Sequence, residues 1–271
     1  MRVASTTPDP SAGCAALPLT GERTVPGIAE ENYWFRRHEA AYAALAPYCA
    51  GAVVLEAGCG EGYGADLLAA RARLVCGLDY DEPTVRHVAK AYPAVRVVRG
   101  NLAGLPLRES TVDVVANLQV IEHLWDQSAF LQECHRVLRP DGRLLLTTPN
   151  RVTFSPGRDT PLNPFHTKEF APAELRELVV AAGFEVEVLL GLGHGPRLRA
   201  LEATLGGSII DAQVAVVVDR TPWPPELLAA VRSVTVADFE LTPGRLDASL
   251  DLVVVARRTG HCATDPMSTP R

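Results

Sequence analysis

The chain has 271 residues, 47% hydrophobic and 21% charged, the composition of an ordinary globular protein with ample material for a core. Its net charge of −6 at pH 7 offers no bulk attraction for a polyanion such as nucleic acid. Six cysteines, Cys14, Cys49, Cys59, Cys76, Cys134 and Cys262, form neither a CxxC pair nor a zinc spacing and read as reduced thiols of a cytoplasmic protein.

Residues 1–18 are rich in Ser, Thr, Pro and Ala and are expected to be disordered. They lack the apolar centre of a signal peptide, because Pro8, Asp9 and Pro10 interrupt it. No run of about 18 apolar residues follows anywhere, so no transmembrane helix and no membrane partner are expected. Residues 19–50 form an N-terminal segment in which Glu31-Asn32-Tyr33-Trp34-Phe35-Arg36-Arg37-His38 precedes a helical pattern, Glu39 to Ala46. Two readings stay open. The segment is an amphipathic helix on the core, or a lid whose Tyr33 meets a nucleoside and whose Arg37 meets a carboxylate.

From residue 51 the rhythm alternates. Strands are predicted at Val53–Ala57, Leu74–Leu78, Val95–Val98, Val112–Ala116, Leu144–Thr147, Phe184–Leu192 and Leu250–Ala256. Helices are predicted at 63–71, Glu82–Ala91, Ser128–Leu138 and Ala173–Ala182, the last closed by Gly183. Arg139-Pro140-Asp141-Gly142 reads as a turn. The alternation argues an α/β, doubly wound, mostly parallel sheet of seven strands over residues 51–258. Residues 150–170 make a connection too long to be idle, 193–232 read as an insertion near the substrate, and 259–271 as a loose tail.

The first strand ends in Glu56-x-Gly58-x-Gly60-x-Gly62, a backbone that a ligand can approach closely. This spacing differs from the G-x-G-x-x-G of dinucleotide binders, and Glu61 is a poor neighbour for a pyrophosphate. Glu56 beside the first glycine favours a cationic ligand, an ammonium or sulfonium. Asp79 ends the second strand, where a carboxylate accepts from both ribose hydroxyls or merely caps the following helix.

At this point four ordered stretches resemble the motifs of class I S-adenosylmethionine-dependent methyltransferases. They are Val54 through Gly62, Gly77-Leu78-Asp79-Tyr80-Asp81, Gly100-Asn101-Leu102 with Leu105-Pro106, and Val112 through Leu124. The resemblance covers roughly residues 50–190. It implies that S-adenosyl-L-methionine is the cofactor, with Gly58 and Gly60 at its methionine part and Glu56 and Cys59 as further cofactor-binding candidates. It also implies Asp79 at the ribose and Asn101 and Leu102 at the adenine edge; Tyr80 and Gln119 are further cofactor-binding candidates, and Gln119 also stands among the polar residues after the fourth strand. Asn101 departs from the family's usual Asp, although its amide oxygen still accepts hydrogen bonds.

Methyl transfer from a sulfonium is an in-line displacement, and a hydroxyl acceptor must also lose a proton. His123, just past the fourth strand, is the leading base, and His166 in the long loop is the second catalytic candidate. Relatives that methylate quinone-precursor phenols or RNA ends carry E-x-x-E-H with a later His as a magnesium site. Here Gln119 stands first, so Glu122, His123 and His166 form a partial match for Mg2+. Two clusters, His194 to Arg199 and Ser208 to Gln213, carry groups suited to a sugar. Thr20-Gly21-Glu22-Arg23 and the 150–170 loop resemble actinobacterial sugar O-methyltransferases of methylglucose and methylmannose polysaccharide synthesis. That implies a carbohydrate hydroxyl as acceptor; a phenol and, more remotely, an RNA end remain the alternatives.

Overall fold

The apolar runs become the strands of one eight-stranded sheet. In a computed structural model that describes residues 23–260, these are β1 (Val53–Ala57), β2 (Leu74–Asp79), β3 (Val95–Arg99), β4 (Val112–Leu118), β5 (Leu138–Pro149), β6 (Phe184–His194), β7 (Phe239–Thr242) and β8 (Asp251–Arg258). Their order is β3-β2-β1-β4-β5-β8-β6-β7. The first six run parallel to one another, while β8 is antiparallel to β5 and β6, and β7 is antiparallel to β6. The expectations for residues 1–18, for residues 19–22, for residues 261–271 and for Cys14 and Cys262 lie outside the described residues.

Apolar side chains alternate to both faces, as a sheet covered on two sides requires. Val54, Val114, Leu145 and Val255 face a core shared with α1 (Asn32–Leu45), α2 (Tyr63–Ala69) and α3 (Glu82–Ala91). Leu55, Val115, Leu144 and Val254 face the opposite core, with α4 (Gln127–Val137) and α6 (Pro172–Ala181); the single-turn α5 (Arg151–Phe154) lies between these two in the chain. Cys49, Cys59 and Cys134 are buried as free thiols among these apolar groups.

The structure departs from expectation in four places. The sheet has eight strands, not seven: β7 is four residues long and holds the edge by pairing with Gly191–His194. Helix α1 begins at Asn32, because the aromatic cluster itself is helical. The predicted turn at residues 139–142 lies inside β5, with Asp141 at φ 62° and a register shift between Val112 and Val114, so it is a β-bulge. Thr259 is tied down rather than loose, donating from N and Oγ1 to Gly183 O. The segment from residue 193 folds as the end of β6 and then α7 (Pro196–Leu205), α8 (Ile209–Asp219) and α9 (Pro225–Ser233).

Candidate active site

The glycine turn after β1 leaves room where a ligand has to approach. At Gly60, with φ 51°, a Cβ would meet no atom within 4 Å. Its N–H donates to Asp79 Oδ2 at 3.0 Å, and Asp81 N–H donates to Oδ1 at 3.0 Å. Asp79 is thereby fixed at the end of β2 with a further lone pair on each oxygen. Glu56 is fully buried; Tyr42 donates to its Oε1 at 2.5 Å, and Oε2 has no partner. Desolvation, with the Asp79 charge adding to it, pushes the Glu56 carboxyl up to about 8. An orphaned buried carboxylate oxygen beside open backbone fits a ligand that brings cationic donors. Glu61 serves the turn itself, holding His87 Nε2 and the Tyr92 hydroxyl at 2.7 Å each.

The other residues expected around the cofactor divide. Cys59 is buried and Tyr80 is 69% exposed, at the two edges of the turn. Asn101 is exposed, and its Oδ1 accepts from Ala103 N–H at 2.9 Å; Leu102 is half-buried. Tyr33 is a correction to the lid reading: it is sealed in the core with its hydroxyl on His194 Nε2 at 2.7 Å. Arg37 does line the cleft, but its guanidinium is held bidentately by Asp251, at 2.6 and 2.5 Å. This pair is buried on both sides and joins α1 to β8. The nearby His38 is kept neutral, pushed down to about 4 chiefly by burial.

Three chemical groups meet past the end of β4. Glu122, His123 and His166 present ligating atoms within 4.8 Å of one another. Two bonds to the short turn Ile121–His123 hook the distant loop in: Thr167 N–H and Lys168 N–H both donate to Glu122 O, at 2.7 and 3.2 Å. Hydrogen bonds also fix the rings. His123 Nδ1 lies 3.0 Å from Phe165 O, a carbonyl that can only accept, so Nδ1 carries the proton and Nε2 is the basic nitrogen of the neutral ring. Asn163 Oδ1 accepts from Phe165 N–H, which orients Asn163 Nδ2 as donor to His166 Nε2 at 3.0 Å. His166 Nδ1–H then donates to Glu169 Oε1 at 2.7 Å. Glu122 is buried, accepts from Thr148 Oγ1 at 3.0 Å, and is pushed up to about 8 mainly by desolvation.

This cluster lies on the wall of a cleft of about 550 Å³. Gln119, at the left-handed φ of 56°, lines it, with its N–H on Thr147 O. Trp34, Phe154, Trp223 and the valines of α8 supply apolar walls. Of the two clusters read as sugar contacts, only the second reaches the cleft. Gln213 lines it with a buried Oε1 that has no partner, whereas His194 is occupied by Tyr33 and Glu202, and Arg197 by Asp238. Residue reading missed Asn163, Glu169, Thr148 and Asp251, whose roles come from contacts across 26 to 214 positions or from a loop with no periodic signal.

Comparison with known proteins shows the family and the fold. The family described as "Methyltransferase domain" matches residues 55–146, from β1 to β5. A protein of Mycolicibacterium smegmatis named "Probable S-adenosylmethionine-dependent methyltransferase" is 64% identical over 247 residues, covering 90% of this chain and 96% of that one. A "Ubiquinone biosynthesis O-methyltransferase" of Pseudomonas syringae is 31% identical over 163 residues, 54% of this chain and 70% of that one. In fold, the chain resembles the crystal structure of a SAM-dependent methyltransferase from Thermotoga maritima, with TM-score 0.57 at 18% identity, covering 83% and 93% of the two chains. With the glycine turn, the Asp79 carboxylate and a near full-length relative in agreement, the chain belongs to the S-adenosylmethionine-dependent methyltransferases.

Proposed function

We propose that this methyltransferase acts on a hydroxyl of a glucose- or mannose-based oligosaccharide or polysaccharide. The observation that carries the reading is the convergence of Glu122, His123 and His166 on the wall of one cleft. S-adenosylmethionine supplies an electrophilic methyl, which an acceptor oxygen takes by in-line displacement. A sugar hydroxyl is a weak nucleophile, so its proton has to leave as the new bond forms. His123 accepts that proton at Nε2, and its Nδ1–H bond to Phe165 O holds the ring for it. His166, backed by the buried Glu169, steadies the developing positive charge. Glu122, raised to about 8 mainly by burial and held by Thr148 Oγ1, sets the polar floor beside the two rings.

The same three side chains would hold a divalent cation once His166 Nε2 exchanges its Asn163 contact for the ion and Glu122 gives up its proton; Glu169 would then back His166 as carboxylates commonly back metal-bound histidines. One oxygen and two nitrogens suit a transition-series ion better than Mg2+, which prefers oxygen ligands. Such an ion would lower the pKa of the acceptor hydroxyl.

Support for a sugar comes from the cleft. Gln213, Trp34 and Trp223 line it, the mix of amide and aromatic groups that a sugar site uses. The likeness to a ubiquinone biosynthesis O-methyltransferase favours a second reading, a phenolic acceptor. A cytoplasmic location accompanies either, in keeping with the free thiols. The test is a labelled-methyl assay across gluco- and manno-oligosaccharides, phenols and RNA, repeated after EDTA treatment and with His123→Ala. We expect label in an oligosaccharide, lost in His123→Ala while S-adenosylhomocysteine still binds. Label confined to phenols or RNA refutes the sugar reading, and activity that survives EDTA removes the metal.

A further inference from the structure

We propose that the cleft has a distinct apolar half, and that the acceptor carries an alkyl chain or comparable saturated substituent that lies along α8. The proposal rests on reading this cleft as the acceptor site. Val214, Val217 and Val218 are 44%, 67% and 71% exposed, and their spacing puts them in one stripe of α8. Valine is a poor helix former because its branched Cβ loses rotamer freedom. The adjoining face, through Ile209 and Val216, already attaches the helix to the core. The exposed valines therefore work against helix formation and add little to burial. All three line the cleft that holds Glu122, His123 and His166, and Trp223 lines it with them. Contiguous apolar surface continuing from a polar cluster is the construction of a ligand groove.

Charge narrows the occupant. Helix α8 itself carries Asp211 and Asp219 against a single Arg220 at its end, so among the described residues this helix offers no cationic array to anionic lipid headgroups. No single helix among the described residues is long and apolar enough to cross a membrane, and the pair α7–α8 that passes such a test together is bent by 53°. A neutral chain attached to the acceptor meets both conditions: it is apolar, and it enters the cleft with the hydroxyl to be methylated.

The test compares n-octyl β-glucoside, below its micellar concentration, with methyl β-glucoside. Binding is measured by calorimetry on the chain loaded with S-adenosylhomocysteine. The octyl compound should bind at least ~10-fold more tightly, as burial of a few methylenes requires. Val217→Ser/Val218→Ser should erase most of that gap while S-adenosylhomocysteine affinity stays unchanged. Equal affinity of the two glucosides, or a gap that the double variant keeps, overturns the proposal. So does co-sedimentation with phosphatidylcholine vesicles, or self-association in ultracentrifugation, that the double variant abolishes, because the stripe would then belong to a bilayer or a second copy. If octyl glucoside binds through the valines but only an octyl phenol is methylated, the sugar reading falls and the apolar half stands.

Discussion

Replacing Glu56 with glutamine probes the electrostatics of the glycine turn directly. Glu56 is sealed in β1, takes one hydrogen bond from Tyr42, and leaves Oε2 unpartnered. Burial raises its carboxyl from 4.5 to about 8, with the Tyr42 bond opposing and Asp79 adding. The folded chain thus holds this proton more tightly than the unfolded chain does. The group's contribution to stability is complete below about pH 4.5 and is lost as pH rises through about 8. Across that interval each pH unit removes about 1.4 kcal/mol, about 5 kcal/mol in all. Glutamine keeps the shape and cannot ionise, so the stability of Glu56→Gln relative to wild type should climb by about 1.4 kcal/mol per unit between pH 5 and 8. Urea denaturation at four pH values measures the difference, and subtraction cancels groups common to both proteins. A difference that stays flat across the interval means the carboxyl is ionised in the fold, and the reasoning fails.

Asp79→Asn should weaken S-adenosylhomocysteine binding by about 10- to 100-fold, the worth of a charge-assisted hydrogen bond, and calorimetry that finds unchanged affinity removes Asp79 from the ribose. Gly64→Ala would put a methyl 2.1 Å from the Tyr42 ring, so a loss of about 1–3 kcal/mol in urea titration is expected, and an unshifted midpoint counts against this packing. Asp251→Ala leaves the Arg37 guanidinium buried without its carboxylate and should destabilise by about 3–5 kcal/mol, visible as a lower melting temperature. Wild-type melting would mean that Arg37 finds water or another partner.

The sheet was largely legible because β1, β2, β4 and the middle of β5 are apolar on both faces and read as continuous runs. β7 was not, since its Phe239-Glu240-Leu241-Thr242 is an edge strand whose polar positions face outward and whose pairing is set by β6. The bulge at Asp141 imitates a turn for the same reason that bulges use left-handed residues. At the site, Glu122 and His123 were readable from their position after β4, and His166 from its long loop. What joins them is backbone bonding between the 121–123 turn and residues 167–168, which no spacing in the chain announces. Arg37 shows the opposite error: a residue type suited to a carboxylate was matched to a ligand, while the structure pairs it with Asp251, more than two hundred positions away.

The position of β8 also governs how the protein is made. This strand is the last element of the described chain, yet it sits inside the sheet, between β5 and β6. During synthesis the half of the sheet from β3 to β5 can assemble while β6 and the three helices after it are still emerging. Until residue 258 leaves the ribosome, β5 and β6 both present bare edges, and Arg37 waits without its carboxylate. A stalled or truncated product lacking these last residues would therefore hold a formed glycine turn on an unclosed sheet, a species for chaperones and proteases rather than a smaller working enzyme.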